Sequence, residues 1–236
     1  MPSIKDSFEE CLQGENAIIK YIILATPLFI CTKFIVEPDK TDYFVMTALI
    51  TAVLLIGFCL KCTSNTRSNS NALLPSFNVF PLLFNGLRGI IVLAPLFIIA
   101  NTLNFFITDF LGKTITNPQL LNVYSIITTG ICYSIVCTGY ILFARRFRAS
   151  DVYDIKKIST YCVDILIAIL FMELQVFIVD ILVGGPMTYL VWLFFGLPHP
   201  IATFIWCVIL VFDLALMSHY MAQIDYETIR EDDDKI

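Results

Sequence analysis

The sequence predicts an all-α, polytopic membrane helical bundle of about six transmembrane helices, with interfacial amphipathic helices and internal repeats. Three observations predict it. Of 236 residues, 58% are hydrophobic and only 15% charged, where a soluble domain has about 45–50% and about 25%. Mean hydropathy is +0.80. Six stretches approach the roughly 20 apolar residues that span a bilayer, and none shows the strict alternation of a membrane strand. Helices are the form that satisfies a backbone in lipid.

The spans follow in order at 17–36, 43–60, 89–110, 123–143, 162–183 and 201–221. Residues 1–16 are polar and acidic, so no removable leader is expected and the first span stays in the membrane. With six spans, the two termini and the second and fourth loops share a side. That side holds Lys5, Lys61, Arg67, Arg88, Arg145, Arg146, Arg148, Lys156, Lys157, Arg230 and Lys235, eleven in all, against Lys33, Lys40 and Lys113 opposite. The positive-inside rule then predicts a multi-pass protein of the cell membrane with both termini cytoplasmic. The net charge of −5 is carried largely by the two ends. Acidic ends argue against nucleic-acid binding, which needs a basic face.

Residues 1–221 read as one integral membrane domain and 222–236 as an acidic cytoplasmic tail. "ATPLFI" at 25–30 and "LAPLFI" at 93–98 align at a spacing of 68, and a weaker copy begins at "ASDVYDIKKISTYCVDILIAI". Repeat units of 1–62, 70–143 and 148–221 follow, each with a pre-span amphipathic helix, an outward span and an inward span. Phe77, Phe80, Leu83, Phe84 and Leu87 form one apolar helical face, suited to the headgroup boundary. The pre-span helices are expected at 74–87 and 151–160, the former ending before Gly89. The stretch "PMTYLVWLFFG" at 186–196 is too short to span. It reads as a re-entrant or interfacial segment, or as an apolar loop packed on the bundle.

Three segments resemble one family. "LLPSFNVFPLLFNGLRGIIVLAPLFI", "ARRFRASDVYDIKKISTYCVDILIAI" and "ALMSHYMAQIDYE" are similar to the domain-of-unknown-function 4013 family of multi-pass membrane proteins. The resemblance implies a kind of protein found widely in archaea and some bacteria. It supplies no activity and no catalytic residue.

Glu173 is the deepest acid, about eleven residues into the fifth span. An ionised side chain at mid-bilayer costs at least ~2.5–3.5 kcal/mol. Glu173 is therefore expected to be neutral or hydrogen-bonded, to Asn101 of the third span, a Tyr or a Ser/Thr. It reads as a proton or cation relay, or as a buried acid joining helices. Asp213 in the sixth span is a further intramembrane polar residue, and His219 is expected to snorkel at the interface. The two do not share a helical face, so no metal pair is expected. Cys59 and Cys62 form a C-x-x-C without a second pair; packing is the first reading, ahead of juxtamembrane acylation or zinc. Gly130, Ser134 and Thr138 form a small-residue ridge for an internal or subunit seam. Arg145, Arg146 and Arg148 are candidate anionic-lipid contacts.

G-x-S-x-G, the P-loop and H-E-x-x-H are all missing from the chain, and with them the local machinery of the corresponding enzymes. The reading is a non-enzymatic membrane interaction or scaffold protein. No catalytic residue, metal or cofactor is expected; the bilayer is its partner, with protein partners left open. The alternative is a transporter or permease subunit, proton-coupled through Glu173.

Overall fold

A computed structural model describes residues 4–13, 16–35, 41–68, 74–75, 78–195 and 200–225. Its regular structure is helical throughout. The helices are α1 (Ile4–Gln13), α2 (Ala17–Ile35), α3 (Thr41–Arg67), α4 (Val79–Thr114), α5 (Pro118–Arg146), α6 (Ala149–Val152), α7 (Ile155–Val179), α8 (Gly185–Phe195) and α9 (Pro200–Ile224), with a π-helical segment Asp180–Gly184 between α7 and α8. Six of these, α2, α3, α4, α5, α7 and α9, are long and apolar enough to cross a membrane. The chain is a multi-pass membrane protein.

Local chemistry sets the helix ends. Pro118 occupies the first turn of α5, where its missing N–H costs nothing. The Asn117 side chain accepts from the amides of Gln119 and Leu120, as an N-cap should. At the other end Phe147 turns into the left-handed region (φ 52°) and its N–H returns to the Phe143 carbonyl. Asp154 caps α7 by accepting from the amides of Lys156 and Lys157 at 3.2 and 3.3 Å.

The pre-span helices differ from expectation. α4 runs unbroken through Gly86 and Gly89 for 36 residues, about 54 Å at 1.5 Å per residue, so residues 79–87 belong to α4 and not to a separate interfacial helix. Each glycine costs about 1 kcal/mol in a helix interior relative to alanine. Here they form a packing notch. A Cβ on Gly86 would lie 1.8 Å from the Val53 carbonyl oxygen, and one on Gly57 would lie 1.8 Å from that of Leu82. The α3 and α4 backbones touch there. Residues 151–160 are likewise divided between the one-turn α6 and the start of α7, whose Asp154 cap fixes the boundary. The first stretch does form its own short helix, α1, which packs on α9 and α2 with Ser7 and Cys11 buried. The three pre-span stretches thus take three different forms.

The core lies toward one end of the bundle, the one where Arg67 closes α3 and Arg145 and Arg146 close α5; it is called the arginine end below. Burial begins at Thr51 in α3, ceases after Ala100 in α4 and begins at Thr128 in α5. One cluster joins α1, α2, α3 and α9 through Tyr21, Leu24, Phe58, Val211 and Ala215. A second joins α5, α7 and α9 through Leu142, Ile165, Ile169, Met172 and Leu216. A third joins α3, α4, α5 and α6 through Leu60, Val92, Phe143 and Val152. At the far end Phe105, Phe106 and Phe110 of α4 and Val123, Tyr124 and Ile126 of α5 are exposed. Lipid is as apolar as these side chains, so nothing drives them inward. The stretch 186–196 is helical through Phe195 as α8, with Tyr189 and Trp192 exposed and their rings 5.7 Å apart.

Candidate functional site

A set of buried polar residues gathers at the arginine end. Their centre is Asp225, one residue past α9 and only 2% exposed. Arg145 Nε donates to Asp225 Oδ1 at 2.8 Å, and Arg145 Nη2 contacts the same oxygen. Arg67 Nε lies 3.1 Å from Oδ2. The Arg145 guanidinium also sits 5.9 Å from the centre of the Tyr161 ring. One carboxylate therefore ties α3, α5 and α9 together, with α7 beneath. A buried pair this well bonded is costly to break from one side, because the remaining charge is left uncompensated.

One turn deeper, Thr63 Oγ1 donates to the Ser218 carbonyl at 2.9 Å and lies 2.7 Å from the Tyr140 hydroxyl. Ser218 Oγ donates to the Leu214 carbonyl at 2.6 Å. Hydroxyl bonds of this kind satisfy polar atoms where water is scarce.

His219 anchors α1. Its Nδ1 is 2.8 Å from Ser7 Oγ and its Nε2 is 2.5 Å from Glu10 Oε2. The Ser7 contact is a hydrogen bond and the Glu10 contact a close charge pairing. The ring is 2% exposed, so His219 does not snorkel; α1 covers it. Phe8 and Tyr21 pack edge-on against Phe212, and the Tyr21 hydroxyl donates to the Cys11 carbonyl at 2.9 Å. Burial pushes the Cys11 thiol up to about 12, which keeps it protonated and unreactive at neutral pH.

The anticipated intramembrane residues lie on three helices, α4, α7 and α9. Asn101 lies on α4, its Nδ2 donating to the Phe97 carbonyl and its Oδ1 accepting from the Tyr133 hydroxyl, both at 2.8 Å. Its amide joins α4 to α5, and α5 in turn packs on α7. Glu173 lies on α7, with its side chain outside the described residues. Asp213 is buried on α9, well inside the bundle. Arg145, one of three anticipated lipid contacts, is instead the internal partner of Asp225, its side chain 7% exposed. Arg146 and Arg148 remain exposed. Cys62 is buried and the Cys59 thiol points toward the Leu214 carbonyl at 3.9 Å, so the C-x-x-C is packed against α9. The small-residue ridge is an internal α5–α7 seam: a Cβ on Gly130 would lie 2.9 Å from Leu170, and Ser134 Oγ lies 2.7 Å from Cys162 Sγ. Among the described residues no three His, Cys, Asp or Glu side chains could hold a metal together.

Asp225 was missed because it opens a run read as an acidic tail. One signal could have found it. Two spans end in arginines, and Asp225 is the first acid after the sixth, in helical register with Ser218 and Met221. Comparison with protein-family models, curated proteins and solved structures found no match.

Proposed function

We propose that the chain is a non-enzymatic membrane interaction protein: a locked helical anchor that offers lipid-level helix faces to other membrane chains. One observation carries the reading. Polar groups that might have been catalytic, Arg145, Asp225, His219, Thr63, Tyr140 and Asn101, are bonded to one another or to backbone across helix boundaries. Such bonds hold helices together in lipid. The lysine and arginine bias supports a cytoplasmic arginine end, where the remaining basic side chains meet anionic lipid. The resemblance to the domain-of-unknown-function 4013 family belongs to the same proposal.

The test is a photo-crosslinking residue at Phe106 or Phe110 of α4, activated in native membranes. The reading expects discrete protein adducts at these exposed positions. Lipid adducts alone at both sites would overturn it.

A second reading is favoured by the π-helical segment Asp180–Gly184, which begins seven residues after Glu173 on one continuous helical run. π segments inside helices often mark functional positions. In this reading the chain is a transporter or permease subunit that moves protons through Glu173. Glu173→Gln separates the two: it removes proton release while keeping shape. An interaction protein is insensitive to it, whereas a proton-coupled transporter folds but loses its proton flux in reconstituted vesicles.

A further inference from the structure

The outward side of α4 carries polar groups with hydrogen-bonding capacity that the fold does not use. Asn101 gives one amide N–H to the Phe97 carbonyl and accepts on Oδ1 from the Tyr133 hydroxyl, both at 2.8 Å. A carboxamide has two N–H groups and two carbonyl lone pairs, so one of each stays open on this exposed residue. One turn on, Asn104 Oδ1 accepts from Thr129 Oγ1 at 3.3 Å, a bond that leaves both N–H groups of Asn104 open. With α4 centred in the bilayer, the two asparagines stand about 7 and 11 Å from the midplane at 1.5 Å per residue, inside the ~15 Å half-thickness of the hydrocarbon. Acyl chains offer no partner there, and an unmet polar group in hydrocarbon is costly. The surrounding face is apolar: Phe84, Leu87, Ile91, Ile98 and Phe105 are each more than half exposed. Ile91, Ile98 and Phe105 recur every seven residues, the spacing at which two helices wrap along a shared seam. The opposite side of α4 is the one buried in the bundle, through Leu82, Gly86, Gly89, Val92, Leu96 and Ala100.

We infer that α4 pairs with α4 of a second copy of this chain, with Asn101 of each copy as the polar contact of the seam. Copies of one chain insert with one orientation, so a two-fold axis relating them stands normal to the membrane. That axis sets each α4 residue at the depth of its twin. A carboxamide is its own complement: the open N–H of one Asn101 meets the open lone pair of the other, and the reverse. Asn104 supplies further donors one turn nearer the far end. A different membrane chain would need a matching polar group at the same depth; a second copy has one by symmetry. One asparagine on an apolar seam also fixes the register and the number of strands. The inference rests on the reading of the chain as an interaction protein and names its partner.

The test is energy transfer between donor- and acceptor-labelled copies of the full chain in phosphatidylcholine vesicles, at stepped protein-to-lipid ratios. A density-dependent dimer is expected. Asn101→Leu should weaken it about eightfold, the effect of two reciprocal hydrogen bonds at the intramembrane mean. Tyr133→Phe removes the α4–α5 bond and keeps the carboxamide, so it should not weaken the dimer. Equal loss from the two variants would overturn the seam, as would a dimer indifferent to Asn101→Leu. Cysteine substitution maps the seam with Asn101 intact. Under mild oxidation Ile98→Cys should give a disulfide-linked dimer, and Ile99→Cys, about 100° further around the helix, should not. Equal or reversed yields would contradict the inference. Monomers at every density, with Phe106 crosslinked in native membranes to a different chain, would overturn the second copy and leave the interaction reading standing. Monomers with lipid adducts alone would overturn both.

Discussion

The two ends of the bundle are built on different principles. At the arginine end the helices meet through glycine, hydroxyl and ion-pair contacts: Gly57 against Gly86, Thr63 with Tyr140 and Ser218, Asp225 with Arg67 and Arg145. At the far end α4 and α5 present Phe105, Phe106, Phe110, Val123 and Ile126 outward, and their shared polar contacts are Asn101 with Tyr133 and Asn104 with Thr129. Helix association in lipid lacks a hydrophobic drive and relies on close backbone approach and polar bonds. The stability of the fold should therefore reside at the arginine end, and the far end should tolerate change.

The largest effect should come from Gly57→Leu or Gly86→Leu. Each new side chain would begin inside the facing backbone, so α3 and α4 must separate and the protein should lose its folded form on extraction. The same change at Gly112, which has open space around it, should leave thermal unfolding in detergent unchanged. Equal tolerance at the three positions would erase the contrast.

Next in size is Asp225→Ala, which removes the carboxylate that Arg145 and Arg67 share. A loss of about 3–5 kcal/mol is expected in denaturant unfolding. Arg145→Met in the same chain should recover part of it. Ser7→Ala is smaller, about 1 kcal/mol, and its signature is local: faster hydrogen exchange across α1 with α5 unaffected. The smallest change is Tyr133→Phe at the far end, expected near ~0.6 kcal/mol, the mean for an intramembrane hydrogen bond. A far-end loss as large as that of Asp225→Ala would contradict the division.

The six spans were legible because apolar length is a local property. The α5 start was legible too, in Asn117-Pro118. The N-terminal extension of α4 was not. Gly86 and Gly89 weaken a helix in isolation, and only the facing Gly57 and Leu60 show why they are there. The polar centre was hidden for a similar reason. Arg145 reads as part of a basic loop and Asp225 as part of an acidic tail, and composition says nothing of their meeting across 80 residues of chain. His219 was expected to snorkel because its cover, α1, lies 212 residues away at Ser7. The reading of Glu173 as a relay or a structural acid is decided by the Glu173→Gln flux experiment.

The central claim is that the arginine end is locked by Asp225. A double-mutant cycle on Asp225→Ala and Arg145→Ala, read by denaturant unfolding in a single detergent, tests it most directly. A locked bundle predicts a coupling energy of about 2 kcal/mol or more, since contacting charged residues are strongly non-additive. Single effects that sum to the double effect within ~0.5 kcal/mol would contradict it.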